Sequence, residues 1–461
     1  MHEWGSEQRA SHSQCQWQLM SVVRGRTLTS RQGLLLSRMF TRLTFLGTGA
    51  GMPSPMRNVS ALALSWTDGS AWLFDAGEGT QQQFMRVCGD AGAGVARALG
   101  AEAPSGLSIY RIKRIFISHM HGDHCLVLPG LVLTLANLRA RSEAGAEGGG
   151  AEGAAAAGGA HGEGGAAAPA PAPEPFSEDM QYLEIVGPVG LGKFLRGALM
   201  ATETGHLGFL YRVTELVAPP GDGAAAAPAA AAAPTLQASE APPLALLPDA
   251  SGLYHLGVTP QGVRITGAVL QHRVVCFGWA VTEPERAGPL DAAKAKALGA
   301  LGAQLGALKA GQSVVVEGGA TVTPAQCVGA PQPGRTALIL GDSLDNSSAA
   351  AKPSAFLGLP QARGAAVLVH EATFCDAQEA HALPKGHSTA RQAGAFAAEL
   401  GAARLVLTHL SQRYSPRSHG AEAAAAIEAM EEEARDELRK HGRGDCAVRA
   451  VEDFEVVSLK R

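Results

Sequence analysis

The sequence S-H-M-H-G-D-H at residues 118–124 places three histidines and one aspartate within six residues. It follows a strand-like run, 111–117, and precedes an apolar run of helical character, 126–138, so it lies on a strand-to-helix loop. Imidazoles and a carboxylate at this spacing suit a borderline metal ion such as zinc. A histidine-rich surface loop is the alternative, which the specific spacing and its context disfavour. We therefore predict that the metal ligands of this loop are His119, His121, Asp123 and His124.

The composition is that of a globular protein and excludes few functions. The 461 residues are 46% hydrophobic, with a net charge of −4 and a pI near 6.4. This charge does not advertise a nucleic-acid binder, although a local basic surface is enough to engage phosphates. Seven scattered cysteines without a C-x-x-C pair predict reduced intracellular thiols. No apolar run reaches the ~18–20 residues of a membrane-spanning helix, so no membrane association is expected.

The first 41 residues differ in composition from the rest of the chain. They carry five arginines and many Ser, Thr and Gln residues, with Glu3 and Glu7 as the acidic residues. This composition resembles an organellar transit peptide and predicts a chloroplast or a mitochondrion as the compartment. A disordered extension of a protein of the cytoplasm or nucleus is the alternative.

Residues 42–461 are predicted to form one α/β domain with two interruptions. The interruptions, 141–178 and 218–250, are low-complexity inserts with too few bulky side chains to bury a core. A third segment, about 284–332, breaks the α/β alternation. It is predicted to be an excursion that contains a helix near 291–298 and a hairpin near 314–322, with basic residues at Lys294, Lys296 and Lys309.

Polar residues follow several strand-like runs at the point where each run stops. They are His272, Asp342, His370, Glu371 and His409. In layered α/β proteins such strand ends meet at one edge, where ligands bind. An isolated histidine is more often structural than a ligand, but the metal loop needs further partners. We therefore predict that His272 and Asp342 join the metal site.

Two further segments are candidates for supporting the site. The glycine-rich loop 47–58 can approach a phosphate through its main-chain N–H groups and the Arg57 guanidinium. The F-D-A-G-E-G-T segment, 74–80, offers Asp75 and Glu78 to order the metal loop, or a turn and a helix cap instead. The residues predicted to contact substrate are Thr48, Arg57, Asn58, Ser411 and Arg413.

Together these motifs resemble the ribonuclease Z family of the metallo-β-lactamase superfamily. The superfamily motif is H-x-H-x-D-H at 119–124. The family motifs are F-L-G-T-G…P-S-P-M-R-N (45–58), F-D-A-G-E-G-T-Q-Q-Q (74–83), V-G-P-V-G-L (186–191), G-D-S (341–343), H-E-A-T-F (370–374), G-H-S-T (386–389) and T-H-L-S-Q-R-Y (408–414). The resemblance spans residues 42 to about 457 apart from the inserts. It implies an αβ/βα four-layer sandwich with a protruding flexible arm.

The resemblance also implies the roles of the site residues. One zinc ion is expected at His119, His121 and His272, and a second at Asp123, His124 and His409, with Asp342 bridging them; Mn²⁺ or Mg²⁺ are possible substitutes. Asp123 is expected to orient or deprotonate the attacking water. His387 is expected to protonate the leaving 3′ oxygen, and Glu371 to orient His387.

The implied activity is removal of the 3′ trailer from precursor tRNA, which leaves a 3′-hydroxyl on the tRNA and a 5′-phosphate on the trailer. The excursion corresponds to the family's tRNA-binding arm, although it has no proline from 290 to 323 where family arms are Gly-Pro-rich. A single metal loop and the chain length indicate the short form, which is expected to act as a homodimer.

Two other functions were considered from the sequence. One is a superfamily hydrolase of small substrates, such as a phosphodiesterase or an arylsulfatase-like enzyme. The other is a non-catalytic RNA-binding relative, which the complete set of predicted ligands disfavours because enzymes that lose activity usually lose ligands first.

Overall fold

The structure is a computed structural model that describes residues 39–88, 107–146, 182–219 and 235–459, with the main chain alone at 88 and 139–146. The first strand begins at Phe40, two residues before the predicted start of the domain. The predicted extension lies outside the described residues up to position 38.

Strands and helices alternate along the described chain. The strands are β1 Phe40–Gly47, β2 Ala61–Trp66, β3 Ala71–Phe74, β4 Ile112–Phe116, β5 Tyr182–Pro188, β6 Leu210–Leu216, β7 Leu244–Leu246, β8 Leu253–Val258, β9 Arg264–Leu270, β10 Cys276–Thr282, β11 Val314–Val315, β12 Thr321–Val322, β13 Thr336–Ile339, β14 Val367–Glu371, β15 Arg404–Thr408, β16 Ala447–Ala450 and β17 Val456–Ser458. The α-helices are α1 Thr80–Cys88, α2 Gly122–Cys125, α3 Leu128–Ala146, α4 Leu191–Ala201, α5 Ala292–Ala297, α6 Ala303–Lys309, α7 Pro324–Cys327, α8 Glu379–Ala382, α9 Ala390–Leu400 and α10 Ala421–Lys440.

Most of these strands form two large sheets. Among the described residues one sheet has the order β17-β1-β2-β3-β4-β5-β6-β7, and the other has the order β16-β15-β14-β13-β10-β9-β8. Strands β3 to β7 run parallel, as do β13 to β16, and the remaining neighbours pair antiparallel. Each sheet therefore joins a parallel half to an antiparallel half.

The two sheets face each other across an aromatic core. Side chains alternate between the faces of a strand, so Phe116 of β4 points inward while Ile115 points outward. Phe116 meets Trp279 of β10 with ring centroids 5.2 Å apart, and Phe74 stacks on Phe116 at 4.8 Å. These contacts bind the two sheets into one unit.

Helices cover the outer face of each sheet. Helices α1, α3 and α4 pack against the first sheet through residues such as Phe84, Leu131 and Leu195. Helices α9 and α10 pack against the second sheet through Phe396 and Met430, among others. The result is four layers, helix-sheet-sheet-helix, which confirms the predicted sandwich.

The predicted excursion between β10 and β13 is a small folded module. Its helix α5, capped by Asp291, and its hairpin β11–β12 match the helix predicted near 291–298 and the hairpin predicted near 314–322. A separate apolar cluster holds it together: Ala295, Ala300, Leu308, Val316, Val322 and Cys327. Main-chain pairs at Arg286–Gln332 and Leu290–Val328 form its stem.

The predicted insert boundaries were wrong at two points. Helix α3 continues to Ala146, because the alanine and arginine residues after Leu138 favour a helix, so the first insert cannot begin at 141. In the second insert, 235–250 are described and Leu244–Leu246 pairs in parallel with β6. No helix of the described segments is both long and apolar enough to cross a membrane.

Candidate metal centre

The predicted ligands meet at one edge of the sandwich because the strands that precede them end there. Asp75 follows β3, the loop 118–124 follows β4, and His272 follows β9. Asp342 and His409 follow the parallel strands β13 and β15. Three overlapping groups of possible metal ligands result among the described residues: first His119, His121, His272 and Asp342, second Asp123, His124 and His409, and third Asp342, His387 and His409.

The first group has donor spacings that fit a zinc ion. The Nε2 atom of His119 lies 3.0 Å from Nδ1 of His121, which lies 3.4 Å from Nε2 of His272. The Asp342 Oδ2 atom lies 3.7 Å from His119 and 3.9 Å from His272. Ligand atoms bound tetrahedrally at ~2.0–2.1 Å are roughly 3.3–3.4 Å apart, so one ion fits among these four.

The second group has similar spacings and shares Asp342 with the first. The Nε2 atoms of His124 and His409 are 3.3 Å apart, and each lies 3.4–3.5 Å from Asp123 Oδ2. Asp342 faces His124 with Oδ1 at 3.5 Å, while its Oδ2 faces the first group. The two carboxylate oxygens therefore point at two different donor sets, as a bridging ligand requires.

Gly341 permits this close approach. A Cβ atom at position 341 would lie 2.5 Å from the Ser118 Cβ and 2.7 Å from the Cys276 sulfur. A side chain here would push Asp342 away from the metal loop.

The electrostatics differ between the histidines of the first two donor groups. Burial lowers the pKa of His119, His121 and His272, which keeps these imidazoles neutral with free lone pairs. Burial also opposes charge on His124, but the carboxylates of Asp342 and Asp75 raise its pKa. Hydrogen bonds from His124 and His409 outweigh burial at Asp123 and hold its pKa below the usual range.

Asp75 orders the metal loop from behind. Its Oδ2 atom accepts a hydrogen bond from His124 Nδ1 at 2.7 Å, and its Oδ1 atom accepts one from the Ser118 main-chain N–H at 2.7 Å. Its φ of 60° is unusual for a residue other than glycine and turns the carboxylate toward the loop. Glu78, the second candidate for this role, is exposed to solvent.

Other histidine ligands are oriented by partners that the sequence did not identify. Nδ1 of His272 donates to the Gly386 carbonyl at 2.7 Å. Nδ1 of His409 lies 3.0 Å from Thr373 Oγ1, which donates to Glu371. Thr373 belongs to the H-E-A-T-F motif, so its motif membership was the available signal, although its role was not assigned.

His387 forms an ion pair with Glu371 beside both donor groups. Its Nδ1 atom donates to Glu371 Oε1 at 2.8 Å, and Asp342 Oδ2 is 3.8 Å away. Burial opposes charge on His387, but Glu371 outweighs it and raises the pKa of His387 to about 9. Glu371 is held in turn by the main-chain N–H groups of Ser343 and Thr373.

The structure does not support substrate contact by Thr48 and Arg57. Arg57 is 1% exposed, and its guanidinium donates to Thr48 Oγ1 and to the carbonyls of Tyr414 and Val451. Both side chains are buried because they join the loop to the C-terminal segment. The predicted contacts of these two residues were therefore wrong.

The glycine-rich loop instead supports Asp123. The main-chain N–H of Gly51 donates to Asp123 Oδ2 at 2.8 Å. Asn58 packs against Gly79, and its own main-chain N–H donates to Asp453. On the other side of the site Arg413 is exposed, 5.4 Å from the Phe374 ring centroid, and Ser411 is half-buried. Substrate contact by Asn58, Ser411 and Arg413 stays a prediction.

The four-layer sandwich, with histidines and aspartates at one edge, identifies the chain as a member of the metallo-β-lactamase superfamily. The family model of that superfamily matches residues 56–211. Zinc phosphodiesterase ELAC protein 1 of Bos taurus is 34% identical over 434 residues, which span 90% of this chain and 98% of that protein. Ribonuclease Z of Brevibacillus brevis is 32% identical over 374 residues, which span 81% and 86%. The crystal structure of human tRNase Z, short form (ELAC1), matches with a TM-score of 0.52 and 28% identity and covers 91% of this chain and 100% of that chain. Within the superfamily, the chain belongs to the ribonuclease Z family.

We predict that Asp75→Asn lowers zinc affinity by about 10- to 100-fold, because His124 loses the carboxylate that orients its ring. Competition with a chromogenic chelator would measure the affinity. Glu78→Gln, three residues away and exposed, is the matched control and is expected to bind zinc as the wild type does. Equal affinities in the two variants would contradict the role of Asp75.

Proposed function

We propose that this protein is a zinc-dependent endoribonuclease that removes the 3′ trailer from precursor tRNA, leaving a 3′-hydroxyl on the tRNA and a 5′-phosphate on the trailer. The observation that carries the proposal is the double donor set bridged by Asp342, with the His387–Glu371 pair beside it. The names ribonuclease Z and tRNase Z among the relatives favour this activity over the small-substrate hydrolase.

Two zinc ions per subunit are proposed, with Mn²⁺ or Mg²⁺ as substitutes. His119, His121 and His272 would hold one ion, and Asp123, His124 and His409 the other, with Asp342 shared. A bound pair of such ions activates a water molecule and stabilises the attacking and leaving oxygens.

Asp123 is the proposed acceptor for the proton of the attacking water. It stays ionised because its pKa is low, and the Gly51 N–H fixes one of its oxygens. A carboxylate held in this way is ionised before the reaction, so it can orient a water molecule and then accept its proton.

His387 is the proposed donor to the leaving 3′ oxygen. Its Nδ1 is committed to Glu371, which leaves Nε2 for the substrate. Its raised pKa keeps the ring protonated at neutral pH, so the proton is present when the bond breaks.

Exposed cations beside His387 fit an RNA backbone. Three exposed cationic side chains lie next to the site: Arg273, Lys385 and Arg413. Arg273 lies beside Gly386, and the other two approach the Phe374 ring. We infer that these side chains contact phosphates near the cut, which offsets the net negative charge of the chain.

The excursion is the proposed tRNA-binding arm, and a homodimer is the proposed active form. The module leaves the sheet at the edge where β10 ends and β13 begins. His272, in the turn between β9 and β10, and Asp342, after the end of β13, lie at the opposite edge of the sheet. The seven residues of β10 span roughly 20 Å. An arm this far from its own metal edge is well placed to serve a second subunit's site.

Import into a chloroplast or mitochondrion is the proposed targeting, with the cytoplasm or nucleus as the alternative. Residues 1–41 fused to a fluorescent protein are expected to direct it to an organelle, and the same segment with its five arginines replaced by glutamine is expected to fail. Diffuse fluorescence from the unaltered fusion would favour the alternative.

Single-turnover cleavage of a 3′-extended precursor tRNA, with the cut mapped to the nucleotide, is the direct test of the activity. We expect a cut after the discriminator nucleotide that a chelator abolishes. Asp123→Ala is expected to slow cleavage by about 10²- to 10⁴-fold or more while tRNA binding persists. Full activity in this variant would exclude the mechanism.

Activity is expected to fall as pH rises through about 9, because His387 then loses the proton it donates. Glu371→Gln removes the carboxylate that raises the pKa of His387. The pH at which activity falls on the alkaline side should therefore move toward 6.5, the ordinary pKa of histidine. The pH dependence of single-turnover rates measures this shift. Glu422→Gln, on the exposed first turn of α10, is the control. Coincident profiles for Glu371→Gln and the wild type would contradict the role of Glu371.

Mixed dimers would test the arm. Replacing 287–331 by a short linker between the paired Arg286 and Gln332 should weaken precursor binding and spare hydrolysis of bis(p-nitrophenyl) phosphate. Mixing this variant with Asp123→Ala subunits should then restore cleavage of precursor tRNA to a rate well above the sum of the rates of the two variants measured separately. Without restoration, an arm that acts on the other subunit is excluded, and equal loss on both substrates would make the arm structural.

A further inference from the structure

A pocket of about 300 Å³ adjoins the metal centre on the side of His272. It opens between the end of β9, the loop that follows β13, and the short 3-10 helix Ala355–Gly358. His272 belongs both to the pocket wall and to the first donor group. A proposed zinc ligand therefore lines the pocket, although its ring is itself buried.

The walls combine apolar surface with a few polar groups. Val269, Leu270, Pro353 and Ala355 supply apolar surface. Gln271 is half-buried, and its amide makes no hydrogen bond to another described side chain or main chain, so both its donor and its acceptor are available. Lys352 stands exposed at the rim.

The base of the pocket is fixed to the metal edge. The buried Asn346 donates to Ser343 Oγ at 2.8 Å and approaches His370 Nε2 at 3.1 Å. The main-chain carbonyl of Asn346 accepts a hydrogen bond from the Ser354 N–H. The main-chain carbonyl of Gln271 accepts one from the Leu344 N–H at 2.7 Å. This segment begins directly after Asp342, so one loop carries both the proposed bridging ligand and part of the pocket wall.

We propose that this pocket holds the base of a nucleotide that flanks the scissile phosphate; the proposal rests on the endoribonuclease activity proposed above. A phosphate bound between the two donor groups lies next to His272, and a nucleobase is one ribose away from its phosphate. Proteins hold unstacked RNA bases against aromatic, guanidinium or apolar side chains and read the base edges through hydrogen bonds. Val269, Pro353 and Gln271 supply these two kinds of contact.

The chemistry of the walls favours a base over a second phosphate. A phosphate site needs several converging N–H or cationic donors, whereas this pocket has one lysine at its rim and walls that mix apolar and uncharged polar groups. A flat group with a polar edge matches the mixture of apolar walls and a single amide.

A cycle that combines base removal with pocket variants tests the proposal. Three precursor tRNAs are compared: an intact one and two with an abasic ribose on either side of the cut. In the wild type, removal of one of these bases should slow single-turnover cleavage on the order of tenfold. In Gln271→Ala and in Ala355→Phe, which fills the pocket, the intact substrate should already be slow and removal of the same base should cost little more.

Each rate is divided by the same variant's rate on bis(p-nitrophenyl) phosphate, which has no base, so that a disturbed metal centre cancels. Lys440→Ala, an exposed lysine at the end of α10, is the matched control and should keep the full effect of base removal. Because two pocket variants are used, the test still works if one of them fails to fold. Equal costs of base removal in the wild type and both pocket variants, or no cost at either position in the wild type, would overturn the base pocket. Because the wild type must first cut intact precursor tRNA, a failure of the pocket is distinct from a failure of the activity.

Discussion

Histidine lone pairs that face one another inside a protein repel unless a proton or a metal ion lies between them. At the metal edge the nitrogens of His119 and His121 are 3.0 Å apart, and burial lowers the pKa of both rings. Their protonation would cost the desolvation of two neighbouring charges. A metal ion would satisfy both lone pairs at once, so we expect cation binding to stabilise the donor set. The surrounding fold is arranged to bring these groups together in spite of that cost.

Much of the fold around this edge sets ring orientation. Asp75, Gly386 and Thr373 each occupy the Nδ1 side of one histidine, which leaves Nε2 for the metal. The Thr373 hydroxyl also donates to Glu371, which pairs with His387. One short segment after β14 therefore links the orientation of a proposed zinc ligand to the protonation of the proposed acid, and a change at Thr373 would reach both.

The sequence predicts those features that short segments encode. The H-x-H-x-D-H spacing sets the loop, and polar residues at strand ends predict the edge, because parallel strands present their carboxyl ends together. Contacts between segments that lie far apart along the chain could not be predicted from the sequence. Arg57 reads as a surface cation, yet its partners are the carbonyls of Tyr414 and Val451, 357 and 394 residues away. Likewise the short Leu244–Leu246 run reads as low complexity, and only its pairing with β6 makes it a strand.

The excursion shows that a different turn chemistry can build a folded module. The family resemblance predicts a Gly-Pro-rich arm, whereas this segment lacks proline from 290 to 323. Here Gly299 and Gly311 adopt positive φ just after helices α5 and α6, where a left-handed residue ends a helix. Leu308 and Val316 then pack in a small apolar core of their own. Since the module joins the sandwich through its stem at the edge away from the metals, its turns can vary while the donor spacings stay fixed. This separation allows the module and the metal centre to diverge independently.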